Sequence, residues 1–138
     1  MTTVAEKLMA IGKVLIAAPE NIQVTGKLVV ADLPEDGEED YLNTFNKKYV
    51  SGYCVLGYLG CQKNMFDGLT YEEIEELEYK EILKAWGFTD EELEKAYARP
   101  DADFKDRLQS MLPSLNDDDV PFKQIGTHLI SLAEAEAQ

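Results

Sequence analysis

The sequence predicts a mainly α protein: a single compact domain over residues 1–138, with five to six helices and a small β hairpin near residues 22–31. Three observations carry that expectation. Apolar residues recur at helical steps near both ends of the chain. A helix-starting phrase occurs twice, as Gly68–Ile74 (GLTYEEI) and Gly87–Leu93 (GFTDEEL). Ahead of both lies Tyr49–Gln62 (YVSGYCVLGYLGCQ), the longest run with no formal charge. A helix that is apolar nearly all round belongs inside a domain, so the other elements are expected to wrap around this stretch.

Val4, Leu8, Ile11 and Leu15 follow steps of four, three and four. This predicts an amphipathic helix over about residues 3–17, with Met9 and Ile16 widening its stripe. Pro19 and Asn21 end it. In IQVTGKLVVA, residues 22–31, apolar and polar residues first alternate and then give way to a short apolar run. Two short strands are expected there, or one strand bent at Thr25–Gly26. Residues 33–40 (LPEDGEED) form an acidic loop punctuated by Pro34 and Gly37. Read as one helix, the uncharged stretch sets Cys54, Gly57 and Cys61 on a narrow face of small residues.

The repeated phrase has a physical parsing. Each Gly closes the preceding segment. Thr70 and Thr89 are N-caps, and Glu73 and Glu92 complete capping boxes three residues on. These signals predict helices over about residues 71–86 and 90–98. Pro100 stops the second. Asp101 or Asp103 starts another helix, which Pro113 ends near Leu112. Asn116–Asp119 (NDDD) is expected as a turn into a last helix over about residues 122–134, with Phe122, Ile125, Leu129 and Leu132 inward.

The formal net charge is −14, from 13 basic and 27 acidic side chains. That argues against direct binding to nucleic acid, whose backbone needs a basic surface. It favours a basic protein partner, a cation, or high solubility alone. On one helix Cys54 and Cys61 would have Cα atoms about 10 Å apart, too far for a disulfide. Free thiols fit a reducing, cytoplasmic setting. The apolar stretch at residues 8–18 lacks a signal peptide's positive lead, because Glu6 precedes it and Lys13 interrupts it. No run reaches the roughly 18 apolar residues of a membrane span, so no membrane partner is expected.

Cys54 raises the question of a nucleophile. It would need a base, and His128 is the one histidine in the sequence. No nucleophile motif surrounds it, and two small core cysteines in close helix packing explain the same residues. A small cysteine-dependent enzyme using Cys54 and His128 is therefore the alternative reading. No metal site is expected, since the Cys and His residues are too few and lack the short C-x₂₋₄-C spacing. No phosphate loop or buried carboxylate pair is present, so no cofactor is expected either.

The acid itself remains. Glu35, Asp36, Glu38, Glu39 and Asp40 crowd one loop, Glu72, Glu75 and Glu76 one helix start, and Asp90 and Glu91 the next. Charge runs often form only a solvated face. The functional reading is a non-enzymatic inhibitor or adaptor that docks on a basic, nucleic-acid-binding surface of a protein partner. Phage-encoded inhibitors of host defence nucleases share this character: small, acidic and catalytically empty. By that analogy the chain is expected to act as a nucleic-acid mimic. The partner's identity and the oligomeric state stay open.

Two segments resemble a family of small uncharacterised bacterial and phage domains. Members have a Cys-x-Leu-Gly-Ala helix in the middle and a Trp-Asn-Asp turn before the closing helix. Here the segments are Cys54-Val-Leu-Gly57 and Leu115-Asn-Asp117, with Tyr58 in place of the alanine and Leu115 in place of the tryptophan. With their flanks they cover about a fifth of the chain. The resemblance implies one compact domain with the Asn116–Asp117 turn near the central helix, and implies no activity.

Overall fold

The protein is described here from a computed structural model covering residues 3–32, 44–100 and 104–137. The fold is mainly α, as the sequence predicts. Among the described residues the helices are α1 (Val4–Ile16), α2 (Val55–Gln62), α3 (Tyr71–Glu75), α4 (Tyr79–Ala85), α5 (Asp90–Leu93), α6 (Leu108–Asp117) and α7 (Phe122–Glu136). The strands are β1 (Val29–Ala31), β2 (Val50–Tyr53), β3 (Ala96–Ala98) and β4 (Lys105–Arg107), and a 3₁₀ turn spans Lys47–Tyr49. The acidic loop at residues 33–40 and the aspartates at 101 and 103 lie outside the described residues.

Helix α1 opens on a capping box. Thr3 Oγ1 accepts from Glu6 N at 3.1 Å, and Glu6 Oε1 accepts from Thr3 N at 3.4 Å. Its inner face buries Leu8, Ile11 and Leu15 completely. That face packs against α7, which buries Phe122, Ile125, Leu129 and Ala133. The two backbones touch where they cross. A Cβ on Gly12 would lie 2.8 Å from Gly126 O, and one on Gly126 would lie 2.5 Å from Gly12 O.

The β element near residues 22–31 is present, but its partner comes from elsewhere. Gly26, at φ +86°, turns the chain so that its two halves flank β2. On one side β1 pairs antiparallel with β2, Val29 opposite Tyr53 and Val30 opposite Gly52. On the other, Tyr53 N donates to Ile22 O at 2.7 Å and Val24 N donates to Tyr53 O at 2.9 Å. The uncharged stretch is therefore not one helix. Its first part is a strand, which suits the β-branched and aromatic residues Val50 and Tyr53, and only Val55–Gln62 is helical. Gly57 sits under Leu28: a Cβ there would lie 1.7 Å from Leu28 O.

The expected helix over residues 71–86 is broken at Leu77–Glu78 into α3 and α4. In one straight helix Leu83 would sit about 180° from Ile74, nine residues earlier. The break lets Ile74, Ile82 and Leu83 all reach full burial. Both repeated phrases do start helices: Thr70 and Thr89 each close a capping box with Glu73 and Glu92. Gly68 and Gly87 hold φ of 82° and 100°.

Residues 96–98 were expected in a helix and form a strand instead. Tyr97 is buried and its neighbours Ala96 and Ala98 are exposed, the period-two pattern of a half-buried strand. It pairs with Asp106 in the β3–β4 hairpin. Pro113 does not end a helix either. It lies inside α6, whose stripe of Leu108, Met111, Leu112, Leu115 and Asn116 is buried along its whole length. That burial outweighs the hydrogen bond proline removes. Asn116 and Asp117 are helical rather than a turn, and the chain reverses at Asp119, φ 61°.

The Gly57 contact sets a measurable limit. Gly57→Ala should destabilise the protein by about 3 kcal/mol, because backbone atoms at Leu28 cannot move aside. Gly60→Ala meets only the ring tip of Phe66, at 2.7 Å, and should cost about 1 kcal/mol. Urea unfolding midpoints of the two variants check the difference.

Candidate functional site

Three places merit inspection as a site: the surroundings of Cys54, the polar contacts under them, and the acidic surface. Cys54 is the N-cap of α2, and its Sγ accepts from Gly57 N at 3.4 Å. It is half-buried. Burial pushes its thiol pKa up; the Gly57 and Leu56 amides pull it down, but the charges of Glu75 and Asp117 push it up again, and the net shift is upward. A nucleophilic cysteine needs the opposite. His128 Nε2 lies 2.9 Å from Ala98 O, on β3. The charged groups that act on the thiol are the carboxylates of Glu75 and Asp117. The Cys54–His128 pairing therefore receives no support from this geometry, and the thiol's work is to cap a helix.

Cys61 is buried, and its Sγ donates to Tyr53 Oη at 3.4 Å. Burial, then this contact, raises the pKa of Tyr53 well above the usual tyrosine value. Tyr79 is also raised, by burial and then by the charges of Cys54, Asp117 and Glu75. Tyr79, Asp117 and Glu75 thus lie near Cys54 at the start of α2. Among the described residues no three of His, Cys, Asp and Glu are placed to hold a metal ion.

Asn116 is the residue whose role sequence reasoning missed: the resemblance implied only that it lies near the central helix. It is 1% exposed. Its Oδ1 accepts from Val55 N at 3.0 Å and from Gln23 Nε2 at 3.1 Å, and its Nδ2 donates to Val24 O at 2.8 Å. Gln23 carries the connection on, donating to Val120 O at 2.7 Å and accepting from Phe122 N at 3.1 Å. One signal could have found it: Asn116 continues the apolar stripe of Leu108, Met111, Leu112 and Leu115. A polar residue in a core position needs a full set of partners.

The acidic candidates separate into two kinds. Glu75 is engaged internally: its two carboxylate oxygens accept from Leu28 N at 3.0 Å and Val29 N at 3.2 Å. Asp90 pairs with Lys84 at 2.8 Å, and that contact lowers its pKa. Glu72, Glu76 and Glu91 are exposed and make no ion pair among the described residues. Glu35, Asp36, Glu38, Glu39 and Asp40 lie outside the described residues. Glu92, not singled out as a partner contact, bonds the buried Lys7 at 2.6 Å. Burial pushes its carboxyl up, but Lys7 and the Thr89 contacts outweigh that and hold it below the usual range.

No described helix is long and apolar enough to cross a membrane. No family model, curated protein or solved structure matches the chain.

Two outcomes follow from this geometry. Asn116→Ala should cost about 3 kcal/mol, since it strands the Val55 amide and the Val24 carbonyl and removes one of the two bonds that Gln23 Nε2 donates; chemical denaturation measures it. Cys54 should react with iodoacetamide more slowly in the native protein than in urea at the same pH, read by mass spectrometry of the cysteine peptides. Fast native labelling at neutral pH would contradict the capping role.

Proposed function

We propose that the protein is a non-enzymatic inhibitor or adaptor that docks, through its acidic surface, on a basic surface of a protein partner. The observation that supports this most is the set of exposed carboxylates at Glu72, Glu76 and Glu91. They have no cation on their own chain among the described residues, in a protein whose formal charge is −14. Such a surface carries self-repulsion that a complementary partner relieves. The loop acids at positions 35, 36, 38, 39 and 40 belong to the same proposal on sequence grounds. A groove that ordinarily holds nucleic acid is the partner chemistry this surface suits, which makes a phage anti-defence mimic one setting for it. The upward shift of the Cys54 thiol speaks against the cysteine-enzyme alternative.

Glu75 does not belong with the docking residues, because its carboxylate is spent on β1. The test therefore leaves Glu75 unchanged. The protein is immobilised and source-cell lysate is passed over it at about 50 mM and about 500 mM salt, which shortens the screening length about threefold. Basic proteins should be captured at low salt and released at high salt. The triple variant Glu72→Lys, Glu76→Lys, Glu91→Lys should lose capture at least tenfold. Capture indifferent to both salt and charge reversal would sink the proposal.

A further inference from the structure

We infer that the open groove between α1 and α7 seats a second copy of this chain, packed about a two-fold axis with α1 against α1. The groove measures about 500 Å³. The buried Ala133 and half-buried Met9 form its floor, and the exposed Ala10, Glu6, Lys13 and Glu134 line its edges. Three features point to a second copy as the occupant.

The first is the arrangement of charge. The helices run antiparallel: Gly12 meets Gly126 and Ile130, while Met9 shares the groove with Ala133 and Ala137. Glu6 and Glu134 therefore stand on one side of Met9, and Lys13 on the other. Glu6 and Lys13 are two turns apart on the same face, about 10 Å along the axis. A two-fold axis near Met9–Ala10 brings Lys13 of each copy opposite the carboxylates of the other. The groove is complementary to itself, as an isologous contact requires.

The second is that these charges are uncommitted. Neither Lys13 nor Glu134 makes an ion pair among the described residues. Glu6 already holds the Thr3 cap, so Glu134 is the principal partner for Lys13. The third is the apolar lining itself. Alanines let two helix backbones approach, and the unbranched Met9 adapts to what it meets. A permanent interface buries about 2,000 Å² or more, and one pair of short helix faces offers less. The net charge of each copy also opposes association. The dimer is accordingly weak.

Sedimentation velocity of the full chain, from about 1 µM to about 1 mM, covers the range in which such an interface associates. The expected result is a monomer that becomes a dimer within that range. Lys13→Glu, at an exposed position, should raise the dissociation constant at least tenfold with the circular dichroism spectrum unchanged. The swap Lys13→Glu with Glu134→Lys should restore association. A chain that stays monomeric throughout leaves the groove to some other occupant and overturns the inference. So does a dimer that Lys13→Glu leaves intact, or a swap that fails to restore it.

Discussion

The side chain of Asn116 holds together three pieces of backbone that regular secondary structure leaves unpaired. Its oxygen takes the Val55 amide at the first turn of α2, its nitrogen gives to the Val24 carbonyl, and Gln23 links both to the start of α7. The N-terminal amides of a helix have no partner within it, and these sit where water does not reach. The arrangement explains how a short helix like α2 can end against β2 and still be buried on nearly every side. It also fixes Cys54, one residue before Val55, as a cap. The residues that first suggest chemistry are thus held in place by a group that suggests none.

What could be read from the sequence was local. The capping boxes at Thr70 and Thr89 are complete within four residues, and both helices begin where they indicate. The stripes of α1 and α7 are long enough to override single exceptions such as Gly12. The misread elements depend on distant partners. Val50–Tyr53 becomes a strand because residues 22–24 and 29–31 lie on either side of it. Residues 96–98 become a strand because Lys105–Arg107 returns beside them. Pro113 is carried inside α6 by burial on a face that only the tertiary fold supplies. Of the acidic site, Glu72, Glu76 and Glu91 were legible as members of charge runs at two helix starts, which often form a solvated face, and they are exposed. The hold of Glu75 on Leu28 and Val29 and the bond of Glu92 to Lys7 were not, because those partners lie 47 or 46 and 85 residues away.

Some of the carboxylates in this protein work on their own backbone. Glu6, Glu73 and Glu92 each accept from the amide of a capping threonine, and Glu75 fastens the start of β1. Such bonds use negative charge where helix starts and strand edges expose positive partial charge. Part of the acidity is therefore structural, and a net charge of −14 overstates what is offered outward. What remains at the surface is a smaller set, and the proposed docking role rests on it alone.

The glycine contact between α1 and α7 bears on how the chain comes to be folded. Gly12 and Gly126 stand 114 residues apart (126 − 12), and closing a loop of that length costs about 4 kcal/mol in chain entropy. During synthesis, Leu8, Ile11 and Leu15 emerge long before the helix that covers them. Until α7 leaves the ribosome the side of α1 that it covers stays exposed, and nothing translated earlier can take its place at a crossing so close. The domain is closed by its last helix, so a chain cut short before residue 122 would carry a bare apolar face that chaperones and proteases recognise.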